Sequence, residues 1–236
     1  MIDQKKLEQG AAAFSVPLCG EMLGAFSTYA EFLVEYNQKV NLTAITDPDG
    51  IVTRHFVDSL APLGLVEFPE GASVVDVGTG AGFPSVPMAV ARPDLRFTLL
   101  DSLQKRLTFL SQLAGKIDRW FALVHRRAEQ AGADPALRER FDFAVSRAVA
   151  GLPALCEYCL PLVRVGGAMV ALKGPDCGEE VRAAAHAVEV LGGGGVREIA
   201  YRLADGSGRT LVVIEKRSRT PPKYPRQRVK LTENPL

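Results

Sequence analysis

The sequence predicts an α/β protein, a doubly wound and mainly parallel sheet closed by an antiparallel C-terminal hairpin, with a small N-terminal helical lobe. Three observations carry this. From Ala72 onward, seven short β-branched runs (SVVDV, RFTLLD, WFALVH, FDFAVS, GAMVALK, VREIAYRL and RTLVVIEK) alternate with helix-like stretches. The last two runs are separated only by ADGSG at residues 204–208, a hairpin turn that makes the final strand antiparallel to its neighbour. Before Ala72 the apolar residues follow a helical period instead.

In chain order, Met22, Phe26, Tyr29, Leu33, Tyr36 and Val40 recur at three- and four-residue steps and form one apolar stripe. Thr46-Asp47-Pro48 reads as a cap with proline in the first turn of another helix, which runs through Val52, Phe56 and Leu60. This stripe needs a surface to cover it, so residues 1–70 are expected to pack as a lobe on the domain formed by residues 71–216. Between the strands, helices are expected near residues 85–92, 104–115, 128–138, 152–163 and 178–191, with glycines 192–195 as a loop before the sixth strand. Residues 217–236 form a basic, proline-rich tail.

Composition narrows the class. Of 236 residues, 47% are hydrophobic and 23% charged, which argues against wholesale disorder. No apolar run approaches the ~20 residues of a membrane span, and MIDQKKLEQGAAAF lacks the continuous apolar stretch of a signal peptide. A cytoplasmic chain with no membrane partner is expected, with Cys19, Cys156, Cys159 and Cys177 kept as thiols. Cys156 and Cys159 have CxxC spacing, but no second pair completes a zinc site, and LPALCEYCLPLV reads as a helix with both thiols inside. His55, His125 and His186 have no metal-like spacing; His55, beside Arg54, reads as a surface residue. No metal is expected. The net charge of +1 hides an asymmetry, because residues 216–230 hold seven basic residues and no acidic one. That end suits a phosphate backbone, or equally a solvated tail.

The first strand leads into Asp76-Val77-Gly78-Thr79-Gly80-Ala81-Gly82-Phe83-Pro84. Alternating glycines let the backbone turn sharply and approach a ligand, and Asp101 ends the second strand where a carboxylate can meet ribose hydroxyls. Alone, this pair fits a dinucleotide or S-adenosylmethionine. The dinucleotide pattern has its third glycine where Phe83 stands. Pro84 and Pro87 also delete N–H donors from the helix start that would hold a pyrophosphate. Both details favour S-adenosylmethionine, which carries no phosphate.

YNQKVNLTAIT, HFVDSLAPL, VVDVGTGAGFPSVPMAVARPDL, LLDSLQKRLTFL, FDFAVSRAV, GGAMVALKG and LVVIEK together resemble the RsmG family, also called GidB, over roughly residues 30–216. The resemblance implies a class I methyltransferase fold and transfer of a methyl group from S-adenosylmethionine to N7 of a guanine in 16S ribosomal RNA. The implied guanine lies at about position 527, in the 530 loop of that RNA. It further implies Gly78, Gly80, Gly82 and Phe83 at the cofactor, with Gly78 and Phe83 at its methionine end. Asp101 falls on the ribose, Ala128 and Glu129 at the adenine, and Arg147 at the mouth between cofactor and substrate. Arg127 and Arg209 fall on the RNA-facing side of that mouth, with Lys105 and Lys173 on the same rim; Arg147, Arg127 and Arg209 are the candidate catalytic group. The partner implied is 16S ribosomal RNA or the small ribosomal subunit, met by a monomer. The basic tail is longer than the shortest members of the family require.

The chemistry is compatible by omission. Guanine N7 presents a lone pair and needs no general base. After the fourth strand stands Ser146-Arg147-Ala148, not the Asn/Asp-Pro-Pro-aromatic run of exocyclic-amine methyltransferases, and no cysteine occupies a nucleophile's turn. Arginine can grip phosphate or the O6 edge of guanine, while Phe83 and Phe143 read as core or cofactor wall. The competing readings are methylation of another RNA or a protein, and a non-catalytic ribosome-binding module.

Overall fold

The computed structural model describes residues 1–227 and 234–236. Among them the strands are β1 (Ser73–Val77), β2 (Arg96–Asp101), β3 (Ala122–His125), β4 (Phe141–Arg147), β5 (Val163–Lys173), β6 (Gly193–Arg202) and β7 (Gly208–Lys216). They form one sheet in the order β3-β2-β1-β4-β5-β7-β6. The first five pair in parallel, whereas β7 inserts antiparallel between β5 and β6. The order reverses between β1 and β4, so a crevice opens at their carboxyl ends, where doubly wound sheets bind ligands.

Period-two alternation sends strand residues to opposite faces. Val74, Leu99, Val145 and Val213 join one core with helices α1 (Gln4–Ala12), α2 (Gly20–Asn37), α5 (Ser85–Ala91) and α6 (Gln104–Lys116). Val75, Leu100, Ala144 and Val212 join the other, under α7 (Ala128–Ala133), α8 (Leu152–Cys159), α9 (Gly178–Ala183) and α10 (Ala185–Val190). The N-terminal stripe thus shares the first core, through Phe26, Tyr29 and Leu33; Val40 lies beyond the end of α2. Cys156 and Cys159 are buried in the second core, and burial pushes the Cys156 thiol up to about 12.

Several boundaries differ from the sequence expectation for identifiable reasons. The helix expected over 128–138 stops at Ala133, because Pro135 cannot continue it and the Asp134 carboxylate caps the Ala136 N–H instead. The run expected as helix to residue 163 ends at Cys159, followed by one 3-10 turn over Leu160–Leu162. Glycines 193–195 are not a loop. Gly193 already pairs with Lys216, and the register shifts between Gly194 and Val196, with Gly195 at φ +56° as the bulge. Asp47 caps the second helical run as expected, its Oδ1 accepting from the Gly50 N–H at 2.7 Å. The run that follows is three pieces: α3 (Pro48–Gly50), a π-helical turn over Ile51–Val57, and α4 (Asp58–Leu65).

The tail is docked as far as it is described. Arg138 donates to the carbonyls of Gly132, Thr220, Pro221 and Tyr224. Fully buried Lys216 donates to Leu160 O (2.6 Å), Leu191 O (3.2 Å) and the Thr220 hydroxyl. Arg226 grips the buried carboxylate of Glu157, its Nε and Nη2 reaching Oε2 at 3.0 and 2.7 Å. Two of the seven charges credited to a phosphate-binding end are therefore spent inside the protein. Arg228 and Lys230 lie outside the described residues.

Candidate active site

The glycine loop follows β1. Gly78, Gly80 and Gly82 have φ of +73°, +59° and +101°, a region that disfavours any side chain. The N–H groups of Gly78 and Thr79 both donate to Leu100 O, folding the loop back onto β2. A Cβ on Gly78 would lie 2.6 Å from Val149, and one on Gly82 would meet Val86, Leu110 and the Tyr29 hydroxyl. The two therefore serve different ends: Gly78 opens a cleft, while Gly82 admits the helices behind the loop. Tyr29 clamps that side, donating to Ala81 O at 2.5 Å and stacking on Phe83 at 5.4 Å. Asp76 beneath the loop accepts from Thr79 Oγ1 at 2.9 Å, but its Oδ1 has no partner, and burial pushes its carboxyl up to about 7.

A first cleft of about 400 Å³ opens beside Gly78 and is lined also by Asp101, Arg127, Ala128 and Glu129. Sequence reasoning did not place Arg106, Val149 or Tyr158 on its wall. Asp101 accepts from Leu103 N (2.9 Å), Gly80 N (3.0 Å) and Arg106 Nη1 (3.2 Å). A carboxylate has about four acceptor positions, so one remains for a ligand hydroxyl. S-adenosylmethionine fits this donor set: Leu100, Ala128, Val149 and Tyr158 offer apolar walls to a flat base, Asp101 an acceptor to a ribose, and Gly78 a place no Cβ could share.

A second cleft, also about 400 Å³, lies where the π-turn and the β5–β7 edge meet the end of β4. Arg54, His55, Asp58, Arg147, Lys173 and Arg209 line it, and Ala148 is common to both clefts. Ala148 has φ +56°, a left-handed backbone that a non-glycine residue keeps only under constraint.

Local backbone geometry builds this cleft. In the π-turn the Asp58 N–H is shared between Thr53 O, five residues back, and His55 O, and is not given to Arg54 O. The carbonyl so released accepts from Arg147 Nη1 at 3.0 Å. The same Nη1 reaches Asp58 Oδ2 at 3.1 Å, and Nη2 donates to His55 Nδ1 at 3.2 Å. Because arginine only donates, Nδ1 must be the acceptor. Burial, reinforced by the Arg147 charge, pushes His55 down to about 3, so the ring is neutral and carries its proton on Nε2, which donates to Thr43 Oγ1 at 2.8 Å. Thr43 is held in turn by Asn37, whose Oδ1 accepts from the N–H groups of Leu42 and Thr43. The His55 ring stacks on Phe83 at 4.4 Å and the Arg147 guanidinium lies over the same ring at 4.8 Å.

His55 is thus buried, not a surface residue; the π-turn rotates it inward against Phe83. Asp58, also unnoticed in the sequence, is buried and gathers Arg147, Arg209 (3.6 Å) and the Tyr201 hydroxyl (2.8 Å). The available signal was an acid inside the apolar run HFVDSLAPL. Lys173 is paired with Glu180 at 3.0 Å, and Arg54 with Asp205 at 2.9 Å. Of the residues expected at a site, Gly78, Asp101, Arg127, Ala128 and Glu129 meet in the first cleft, and Arg147, Lys173 and Arg209 in the second. Gly80, Gly82 and Phe83 stand behind the walls, and exposed Lys105 lines neither cleft.

Residues 22–199, most of the chain, match the model of the family described as GidB, rRNA small subunit methyltransferase G. The chain belongs to this family. Similar curated relatives carry the name Ribosomal RNA small subunit methyltransferase G. One from Acetivibrio thermocellus is 43% identical over 99% of this chain and 96% of its own length. One from Lactobacillus delbrueckii subsp. bulgaricus is 49% identical over 89% of this chain and 90% of its own. Among solved structures, a methyltransferase from Pyrococcus furiosus superposes with a TM-score of 0.56 at 16% identity, covering 81% of this chain and 98% of that one. TrmN from Thermus thermophilus gives 0.52 at 18% identity, over 70% of this chain and 53% of that one. These two likenesses fix the class I methyltransferase fold. As a GidB-family member the chain is an S-adenosylmethionine-dependent ribosomal RNA methyltransferase. No helix of the described residues is long and apolar enough to cross a membrane.

Proposed function

We propose that this chain methylates N7 of a guanine in 16S ribosomal RNA, with the cofactor in the first cleft and the target base in the second. The observation that carries the reading is the pair of clefts meeting at Ala148, at the carboxyl ends of β1 and β4. A cleft of this volume is in the range that encloses a small ligand or a base drawn out of its stack. Bound S-adenosylmethionine supplies a methyl on a sulfonium, which the N7 lone pair takes as the carbon–sulfur bond breaks.

The protein groups fit a reaction without proton transfer. His55 has both ring nitrogens engaged, and Asp58 is held by Arg147 and Tyr201, so neither stands ready as a base. N7 requires none. Arg147 and Arg209 share one carboxylate, which moderates their opposition to the positive charge that methylation leaves on the purine. Asp101 holds the ribose edge in this reading, Gly78 admits the methionine end, and Ala128 with Glu129 borders the adenine. Arg127 and Lys105, both exposed, are free to meet phosphates. The protein is read as a monomer working on the small subunit or its RNA in the cytoplasm. Residues 1–70 act as the lobe that forms the second cleft with the domain of residues 71–216, and the tail as a brace.

The test is nucleoside mass spectrometry of small subunits lacking the modification, after incubation with protein and S-adenosylmethionine. N7-methylguanosine at one site is expected, and an Arg147→Ala variant should lose it. A methyl group on another atom would overturn the N7 assignment while leaving the cofactor cleft intact.

A further inference from the structure

Arg147 offers five N–H donors, and three are used: two by Arg54 O and Asp58, one by His55. Among the described residues the other two meet no protein acceptor. The side chain lines the second cleft and not the first, so those donors are available to the substrate rather than to the cofactor. Three acceptors from one turn and the face of Phe83 fix the guanidinium plane, leaving it little freedom to turn away. Two fixed donors require an acceptor. On a guanine presenting N7, the neighbouring acceptor is the oxygen at C6, whereas adenine has an amino donor there.

We propose that the socket formed by Arg54 O, His55 and Asp58 makes Arg147 the specificity-determining residue of the site, its two remaining N–H donors selecting a purine with oxygen rather than an amino group at C6. His55 is a positioning residue, acting through its hydrogen bond with Arg147. The proposal rests on the second cleft being the base site. The same arrangement says why the histidine is buried neutral, since an imidazolium would present a donor to a donor. The widening at residues 51–57 serves the same arrangement, since it takes the Asp58 N–H off Arg54 O and leaves that carbonyl to Arg147.

Subunits reconstituted with guanine, hypoxanthine or 2,6-diaminopurine at the target position test this. All three bases keep N7; only diaminopurine replaces the oxygen at C6 with an amino group. The wild-type protein should methylate guanine and hypoxanthine at rates within about threefold, and diaminopurine about tenfold to a hundredfold more slowly, because an amino group at C6 leaves the Arg147 donors without an acceptor. His55→Ala should bring the guanine-to-diaminopurine ratio below about five, and His55→Asn, whose carbonyl can still accept from Arg147, should restore most of it. Arg147→Lys, which keeps the charge but not the fork, should also lose the ratio, and serves if His55→Ala does not fold. Equal wild-type rates on guanine and diaminopurine would overturn the proposal and leave the N7 reaction standing. An unchanged ratio in His55→Ala would remove His55 from the argument. No methylation of guanine at N7 would instead overturn the reading on which the proposal rests.

Discussion

Removing the Arg226 side chain tests whether the tail is part of the fold. Glu157 is fully buried on α8, and its carboxylate receives the Arg226 N–H at 2.6 Å as well as Nε and Nη2 of the same residue. Arg226→Ala keeps the backbone bond and deletes the rest, stranding a charge out of water. Breaking one side of a buried ion pair costs about 3–5 kcal/mol. The Arg226 side chain is one-fifth exposed, so water can partly compensate and the lower end applies. For a chain of this size about 3 kcal/mol corresponds to a fall of roughly 6–12 °C in Tm. Calorimetry on the full chain reads this directly, and Glu157→Leu combined with Arg226→Met should recover most of the loss, because an apolar pair leaves no stranded charge. Arg226→Ala melting within about 1 °C of wild type would refute the docking of the tail. Glu157 adjoins Tyr158 on the wall of the first cleft, so cofactor affinity should fall with stability. Truncation after Lys216 should then weaken cofactor and RNA binding together, rather than RNA binding alone.

Gly78→Ala places a Cβ 2.6 Å from Val149 at a left-handed position, and calorimetric titration should show S-adenosylmethionine binding reduced by at least about tenfold, ~1.4 kcal/mol. His55 and Asp76 give opposite pH dependences. His55 stays neutral in the fold down to about 3 but takes a proton near 6.5 when unfolded, so its contribution to stability is lost as pH falls below about 6.5. Asp76 stays protonated in the fold up to about 7 but ionises near 3.8 when unfolded, so its contribution is lost as pH rises from about 4 to 7. Relative to wild type, His55→Asn should therefore gain stability as pH falls from 6.5 to 4.5 and Asp76→Asn should lose it, each by at most about 1.4 kcal/mol per pH unit in urea denaturation; parallel curves would defeat both assignments. Lys105→Ala and Arg127→Ala should each reduce the salt slope of RNA binding by roughly 0.7–0.9. Arg209→Ala, whose charge already faces Asp58, should weaken binding with the slope nearly unchanged.

The central strands β1, β2 and β4 were legible because they are buried on both faces and read as dense apolar runs, and the glycine loop because three positive-φ positions admit little else. The π-turn was not legible. Arg54 to Leu60 satisfies a regular helical period, and the widening shows only as a carbonyl taken by a residue 93 positions away. Nor does local spacing reveal that Asp58 collects Arg147, Tyr201 and Arg209, since each contact spans two elements brought together by the sheet. What the sequence does contain is the anomaly in each case: an acid where the neighbouring positions are apolar. Asp58 in HFVDSLAPL and Glu157 in LPALCEYCL are both of this kind. A carboxylate that stays ionised when buried needs a cationic partner, so each such acid forecasts a basic residue that must come inside, unless burial keeps it protonated as at Asp76.

Charge counting along the chain misleads for the same reason. Taken as a group, the basic residues of the tail suggest an RNA grip. Taken singly, Lys216 closes the carbonyls of Leu160 and Leu191, and Arg226 answers Glu157. At the second cleft, four cations (Arg54, Arg147, Lys173, Arg209) face three carboxylates (Asp58, Glu180, Asp205). Nearly balanced charge suits a site that must orient a base and then release one that has become cationic. Phosphate attraction is better supplied by exposed, unpaired residues outside the cleft, where each neutralised phosphate also releases counterions. The arginines of the cleft are thus held for geometry, and those of the rim for affinity.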